Sequence, residues 1–421
     1  MNEFFLKTSE FDYPLPERLI AQKPFSPRDC CRLLVLHRES GKMEHRKFFD
    51  ITAYLRAGDV LVLNDSRVFK ARLFGRLSLR GAGRRSNPVQ VQDRRASPAV
   101  KLAMTEKKIE VFLLREVDKT GTWEALGNPG KKLKDGVKVS FSKTVECEVI
   151  GKREGKYLVR FNIRGLAFQK FLARYGHVPI PPYIGKEPKD AGDYQTVYAR
   201  QSGSVAAPTA GFHFTKRLLK KIERMGVEVR YITLHVGYGT FKLVKSEEVS
   251  AHKMEEEWVE ISAETARAIS RAKSEGRRVV AVGTTTVRAL EGYSLISHRE
   301  EPKATRRSRT RNEIASPPKA DRNDILSAYS GPVNIFIYPH TKNFGVGVNP
   351  GYKFQIVDAL VTNFHLPKST LLVLVSAFAK SPLSLDGRGQ GEGVILIKTA
   401  YQEAIKKKYR VYSFGDAMII V

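Results

Sequence analysis

One run of thirteen residues, Gly203-Ser204-Val205-Ala206-Ala207-Pro208-Thr209-Ala210-Gly211-Phe212-His213-Phe214-Thr215, crowds small side chains, hydroxyls and one imidazole together with little core-forming bulk. Gly, Ala and Ser let a ligand approach the backbone closely. Pro208 stiffens the path, and Ser204, Thr209 and His213 offer directional hydrogen bonds. The run serves either as a pocket wall or as a Gly/Pro-rich loop entering a helix. Four other segments place polar side chains directly after expected strands, where open α/β sheets gather their ligands. They are Asn64-Asp65-Ser66-Arg67; His235 with Gly237-Tyr238-Gly239-Thr240; Gly283-Thr284-Thr285-Thr286 ahead of Arg288; and Asn363 with His365 in Thr362-Asn363-Phe364-His365-Leu366-Pro367. An imidazole after a strand either packs or transfers protons. The Thr run caps a helix, and the free N–H groups there also receive carboxylate or phosphate. Arg67 and Arg288 are either surface charges or partners for an anion.

The elements that position these residues follow from the pattern around them. Thr215 caps an expected helix with Leu218, Leu219, Ile222 and Met225 on one face, and Gly226 ends it. Strands are expected over 59–63, 227–236, 278–282 and 355–361, with a second helix over 263–273. This alternation predicts an α/β fold with a mainly parallel sheet. Residues 67–160 differ: short alternating pieces at 109–114, 137–141 and 157–161, separated by Gly and Asp-Gly turns, predict a small antiparallel β-barrel or sandwich inserted into the chain. The domain expectation is therefore a discontinuous α/β catalytic domain, 1–66 and 161–421, around a β-barrel domain, 67–160. Stretches 77–108, 296–326, 343–349 and 381–393 lack periodicity or are Gly-rich, and are expected to be disordered insertions.

Composition bounds the function. The 421 residues leave room for two or three domains, and 42% hydrophobic with 28% charged residues suits a globular chain. Met1-Asn2-Glu3-Phe4 begins no signal peptide, and the apolar stretch near 371–379 is about half a bilayer span. A cytoplasmic protein without membrane segments is expected. Three cysteines, Cys30, Cys31 and Cys147, form no disulfide framework or CxxC pair, and no HExxH is present, so no metal is expected. The net charge of +28 points to a polyanion, with nucleic acid the leading partner. Residues 77–108 hold eight Lys/Arg against two acids and 296–326 hold eight against five, which leaves +19 elsewhere. The absence of GxGxxG, GxxxxGK[ST] and GxSxG leaves dinucleotide, nucleoside triphosphate and nucleophile-elbow chemistry unsupported.

At the same segments the chain resembles the S-adenosylmethionine:tRNA ribosyltransferase-isomerase family of queuosine biosynthesis. The resemblance rests on Phe11-Asp12-Tyr13-Pro14-Leu15-Pro16, Leu63-Asn64-Asp65-Ser66-Arg67-Val68, Tyr175-Gly176-His177-Val178-Pro179-Ile180-Pro181-Pro182-Tyr183-Ile184 and Tyr194-Gln195-Thr196-Val197-Tyr198-Ala199. It continues through the opening run, Thr233-Leu234-His235-Val236-Gly237, Val282-Gly283-Thr284-Thr285-Thr286-Val287-Arg288, residues 362–379 and Tyr412-Ser413-Phe414-Gly415-Asp416-Ala417-Met418.

The resemblance implies a bilobal fold of an α/β domain and a β-barrel. It implies transfer and isomerisation of the ribosyl group of S-adenosylmethionine onto a 7-aminomethyl-7-deazaguanine at the tRNA wobble position, yielding epoxyqueuosine, adenine and methionine. S-adenosylmethionine is then a consumed substrate, and no true cofactor, metal or membrane is implied. Under this resemblance His213 or His235 is the expected general base or acid. Asp65 meets the methionine ammonium or the aminomethyl group, and Arg67 a phosphate. Asn363 and His365 hold ribose or adenine, and Ser204 and Thr209 bind substrate. The Thr284, Thr285 and Thr286 helix start, with Arg288, takes the methionine carboxylate. A monomer is expected. A methyltransferase using the same sulfonium substrate and a noncatalytic RNA-binding module are the competing readings.

Overall fold

The computed structural model describes residues 6–77, 108–118, 120–188, 190–297, 327–339, 352–379 and 392–421. The four expected insertions fall almost wholly outside the described residues. Two compact units are present: residues 1–68 with 180–421, and Phe69–Pro179.

The first unit begins with β1 (Arg32–Leu36), β2 (Met43–Lys47), β3 (Val60–Asn64) and β4 (Ser66–Val68). The chain then builds the second unit from β5 (Arg72–Leu77), β6 (Ile109–Glu116), β7 (Thr122–Asn128), β8 (Lys138–Ser140), β9 (Glu146–Arg153), β10 (Lys156–Phe161) and helix α1 (Gly165–Tyr175). These six strands close into an antiparallel barrel in the order β10-β7-β6-β5-β8-β9. The unit ends at Pro179 rather than at the expected residue 160, because α1 packs onto the barrel. Phe168 of α1 meets Phe161 at a ring separation of 4.7 Å and Trp123 at 5.4 Å. Burying those rings removes apolar area that a barrel ending at residue 160 would leave in water.

The first unit resumes with β11 (Gln201–Ser204), α2 (Lys216–Arg224), β12 (Glu228–His235), β13 (Glu257–Ile261), α3 (Ala263–Ser274), β14 (Val279–Val282) and α4 (Thr284–Ser297). It ends with β15 (Tyr329–Val333), β16 (Ala359–Asn363), α5 (Thr370–Phe378), α6 (Glu392–Lys406) and β17 (Ala417–Ile420). Nine of its strands form one sheet, ordered β15-β13-β12-β3-β14-β16-β17-β1-β2. Its centre, β12-β3-β14-β16, is parallel. Both flanks turn antiparallel, through β12–β13 and β13–β15 on one side and β16–β17 and β1–β2 on the other.

The central strands read as unbroken apolar runs because both faces are covered. Along β3, Val60 and Val62 join one core while Leu61 and Leu63 join the other. The first core takes Ile269 of α3, Leu290 of α4, Val373 of α5 and Ile397 of α6. The second takes Leu218, Leu219 and Ile222 of α2. With helices on both sides, the carboxyl ends of β3, β12, β14 and β16 open at one rim of the sheet. No described helix is long and apolar enough to cross a membrane.

Candidate active site

A cleft open to solvent lies at that rim. Four chain segments that the sequence separates by up to about half its length meet in its walls: Ala206–Ala210, Gly283–Thr285, Thr362–Leu366 and Tyr412–Ser413. The opening run is therefore a wall. It leaves β11, makes a tight 3-10 turn over Thr209–His213, and enters α2, whose Thr215 cap accepts the Leu218 N–H at 3.1 Å. A side chain at Gly211 would stand 2.0 Å from the Tyr198 hydroxyl, so only glycine lets the turn pass. Gly283, at φ +90, makes the corner between β14 and α4.

Of the residues expected to act, Thr209, Thr284, Thr285, Asn363 and His365 line the cleft. Asn363 is the hub among them. Its carboxamide oxygen accepts from Thr209 Oγ1 at 3.2 Å, while its nitrogen lies 3.0 Å from His213 Nε2 and donates to the Tyr412 carbonyl at 3.1 Å. His365 sits half-buried with Nε2 2.7 Å from Thr362 Oγ1. Its burial lowers its pKa to about 3, so the ring is neutral and available as an acceptor.

The remaining expected residues stand behind the walls of this cleft or away from them. His213 is 3% exposed, packed on Phe48 at 5.1 Å and separated from the cleft by Asn363. Burial, aided by Arg410 and Arg28, lowers its pKa to about 3. His235 ends β12 with its ring against Gly203, where a side chain would approach within 2.6 Å, and burial lowers its pKa too. Both carboxylate oxygens of Asp65 are engaged, one by Thr233 Oγ1 at 2.7 Å and the other by Arg200 Nε at 3.2 Å. Ser204 Oγ accepts the Val236 N–H at 3.0 Å and so ties the run to the end of β12. Thr286 Oγ1 donates to the Val282 carbonyl at 2.7 Å. Arg288 points into the interior, where it meets Glu257 at 2.5 Å. Arg67 is exposed on β4, beside Ser202 of β11.

Sequence reasoning assigned no role to the tyrosines. Tyr183, Tyr194 and Tyr412 all line the cleft, with Tyr183 and Tyr412 rings 4.6 Å apart and Tyr183 Oη 2.8 Å from Ser413 Oγ. Burial pushes the Tyr183 hydroxyl up to about 12, so it stays protonated. Their signal was present in the Pro181-Pro182-Tyr183 and Tyr412-Ser413-Phe414 motifs, but neither follows an expected strand. The lining holds no Asp, Glu, Lys or Arg among the described residues. No group of three or more potential metal ligands occurs among the described residues either.

The neutral His213 makes acid sensitivity calculable. The unfolded imidazole takes up a proton below its ordinary value of about 6.5, while the folded one resists until about pH 3. The unfolded chain then binds the extra proton, so this contribution to stability is complete above about pH 6.5 and is lost as pH falls toward the folded value. At about 1.4 kcal/mol per pH unit, His213 alone is expected to remove some 2 kcal/mol of stability between about pH 7 and about pH 5, read by denaturant unfolding. The loss should shrink in H213Q; an equal loss in that variant assigns it to other groups.

A family profile described as "Queuosine biosynthesis protein" matches residues 8–420. The chain is 41% identical over 418 residues to the S-adenosylmethionine:tRNA ribosyltransferase-isomerase of Halothermothrix orenii, covering 99% of this chain and 100% of the relative. This chain belongs to the queuosine biosynthesis family of S-adenosylmethionine:tRNA ribosyltransferase-isomerases. The family member of the same name from Sulfurihydrogenibium sp. is 42% identical over 418 residues, with the same coverage. A solved family structure, the S-adenosylmethionine tRNA ribosyltransferase from Thermotoga maritima, is 31% identical, covers 98% of this chain and 100% of that one, and superposes with a TM-score of 0.46.

Proposed function

We propose that this chain transfers and isomerises the ribosyl group of S-adenosylmethionine onto the 7-aminomethyl-7-deazaguanine wobble base of tRNA, giving epoxyqueuosine-tRNA, adenine and methionine. One observation carries this reading: identity of about 41% along the whole length of proteins named for ribosyl transfer and isomerisation. The cleft is compatible with it. A sulfonium is a cation that needs little hydrogen bonding, and the Tyr183, Tyr412 and Phe364 rings offer aromatic faces without a competing charge. Asn363, Thr209 and His365 supply polar atoms for ribose or adenine. The first turn of α4, at Thr284 and Thr285, offers backbone N–H groups to the methionine carboxylate.

In the reaction, loss of a proton beside the sulfonium lets adenine leave. Attack by the tRNA amine and rearrangement to the epoxide then expel methionine. S-adenosylmethionine acts as a consumed substrate, with no resident cofactor. Neutral His365 is the imidazole in the lining, and we assign it to hydrogen bonding with ribose or adenine. A polyanionic partner suits the charge of +28 and the solvent face of α2, which carries Lys216, Arg217, Lys220, Lys221 and Arg224. Cytoplasmic location and a monomeric state complete the proposal.

Incubation with S-adenosylmethionine and tRNA bearing the aminomethyl base tests it by product analysis. Adenine and methionine released in equal amounts are expected. S-adenosylhomocysteine would instead mark a methyltransferase, and tRNA retention without turnover would mark a binding module.

A further inference from the structure

The hydrogen bonds behind the cleft have a polarity that one backbone carbonyl decides. The Tyr412 carbonyl can only accept, so the Asn363 carboxamide must turn its NH2 toward it, at 3.1 Å. The second hydrogen of that NH2 then faces His213 Nε2, 3.0 Å away, and Nε2 must carry the lone pair. The imidazole proton consequently sits on Nδ1, 3.1 Å from Cys31 Sγ. Burial keeps Cys31 a thiol, whose sulfur accepts. All of these atoms belong to residues no more than 5% exposed, so none can exchange its partner for bulk water. What remains of Asn363 is its oxygen, directed toward Thr209 at the cleft wall.

We propose that Cys31 and His213 are positioning residues that lock the Asn363 carboxamide with its oxygen toward the cleft, so that this point of the site selects a ligand N–H or O–H. The lock works through exclusion. Reversing the carboxamide would set its oxygen against the Tyr412 carbonyl, and moving the imidazole proton to Nε2 would set two donors against each other. Either arrangement strands buried polar atoms without a partner. Without an acceptor at residue 31, the Nδ1–H tautomer loses its support and the carboxamide its fixed direction. On the reading proposed above, the ligand donors are the adenine amino group, the ribose hydroxyls or the ammonium of S-adenosylmethionine.

The full chain labelled with 15N-histidine, free of ligand, gives the direct test by NMR between about pH 5 and 8. His213 is expected to show a protonated Nδ1 and a bare Nε2 throughout. A protonated Nε2, or a ring that titrates in this range, overturns the lock. A second arm measures S-adenosylmethionine affinity by calorimetry in C31A and C31S, with thermal unfolding as a check on the fold. C31A is expected to bind about tenfold more weakly, the loss of one buried hydrogen bond. C31S is expected to recover most of that affinity because its oxygen accepts from Nδ1–H. Equal affinity of C31A and the parent chain also overturns the lock. A parent chain that binds no S-adenosylmethionine contradicts the proposed function instead, and the ligand-free spectrum still decides the tautomer.

Discussion

Alanine at Asn363 is expected to lower kcat/KM about a hundredfold, the scale on which loss of substrate placement acts. Three neighbours depend on this side chain: Thr209 Oγ1 at the cleft, and His213 Nε2 and the Tyr412 carbonyl behind it. Removing it takes an acceptor from the substrate side and leaves His213 Nε2 buried and unpaired, at roughly 1–3 kcal/mol, while the Tyr412 carbonyl keeps the Gly415 N–H at 2.9 Å. Steady-state kinetics beside thermal unfolding separate the two effects. N363D sharpens the comparison: it keeps an acceptor toward Thr209 but withdraws both donors and puts a negative charge beside Nε2, which raises the His213 pKa. A folded N363A with parental kinetics would remove Asn363 from the site.

Glu257→Ala is expected to destabilise the fold by about 3–5 kcal/mol, the range for removing one partner of a buried ion pair. Glu257 is 5% exposed and Arg288 3%. Their bond, Arg288 Nη1 to Glu257 Oε2 at 2.5 Å, pairs a guanidinium whose Nε and Nη2 find no partner among the described residues. A guanidinium cannot shed its proton to escape the interior, so the full desolvation falls on the variant. The other Glu257 oxygen accepts the Gly237 N–H at 3.1 Å, at the base of the turn that carries Thr240 to the cleft. Both stability and KM should therefore suffer. E257Q keeps the Gly237 bond and most of the volume, so its KM should recover further than its stability. Guanidinium unfolding of the three chains measures this, and a loss under about 1 kcal/mol in E257A would show that Arg288 reaches water.

The central sheet was legible because its strands carry local signals. Val279–Val282 and Val60–Asn64 are short apolar runs bounded by turn residues, and α2 shows its cap, its buried face at Leu218, Leu219 and Ile222, and its Gly226 stop in one glance along the chain. The antiparallel flanks were less legible. Whether β16 pairs parallel with β14 or antiparallel with β17 depends on partners far apart in sequence, and neither direction alters the apolar pattern of the strand itself. The barrel was read from its alternation, but α1 looked like part of the next domain because aromatic packing by Phe168 and Phe171 has no local signature.

By itself, the sequence determined which strand ends carry polar chemistry and which family the residues resemble, since residue type, turn chemistry and period are properties of neighbouring positions. Only the tertiary structure decided which of those residues face the cleft. Strand position places a residue at the rim, but the direction of its side chain depends on what packs beside it. Asn363 and His213 both stood among the expected residues, yet the Tyr412 carbonyl and Cys31, from opposite ends of the chain, put one at the cleft and the other behind it. Arg288 likewise turns inward because Glu257 on β13 offers a buried carboxylate. A charged or polar side chain follows its strongest desolvated partner, and those partners are brought together by the fold.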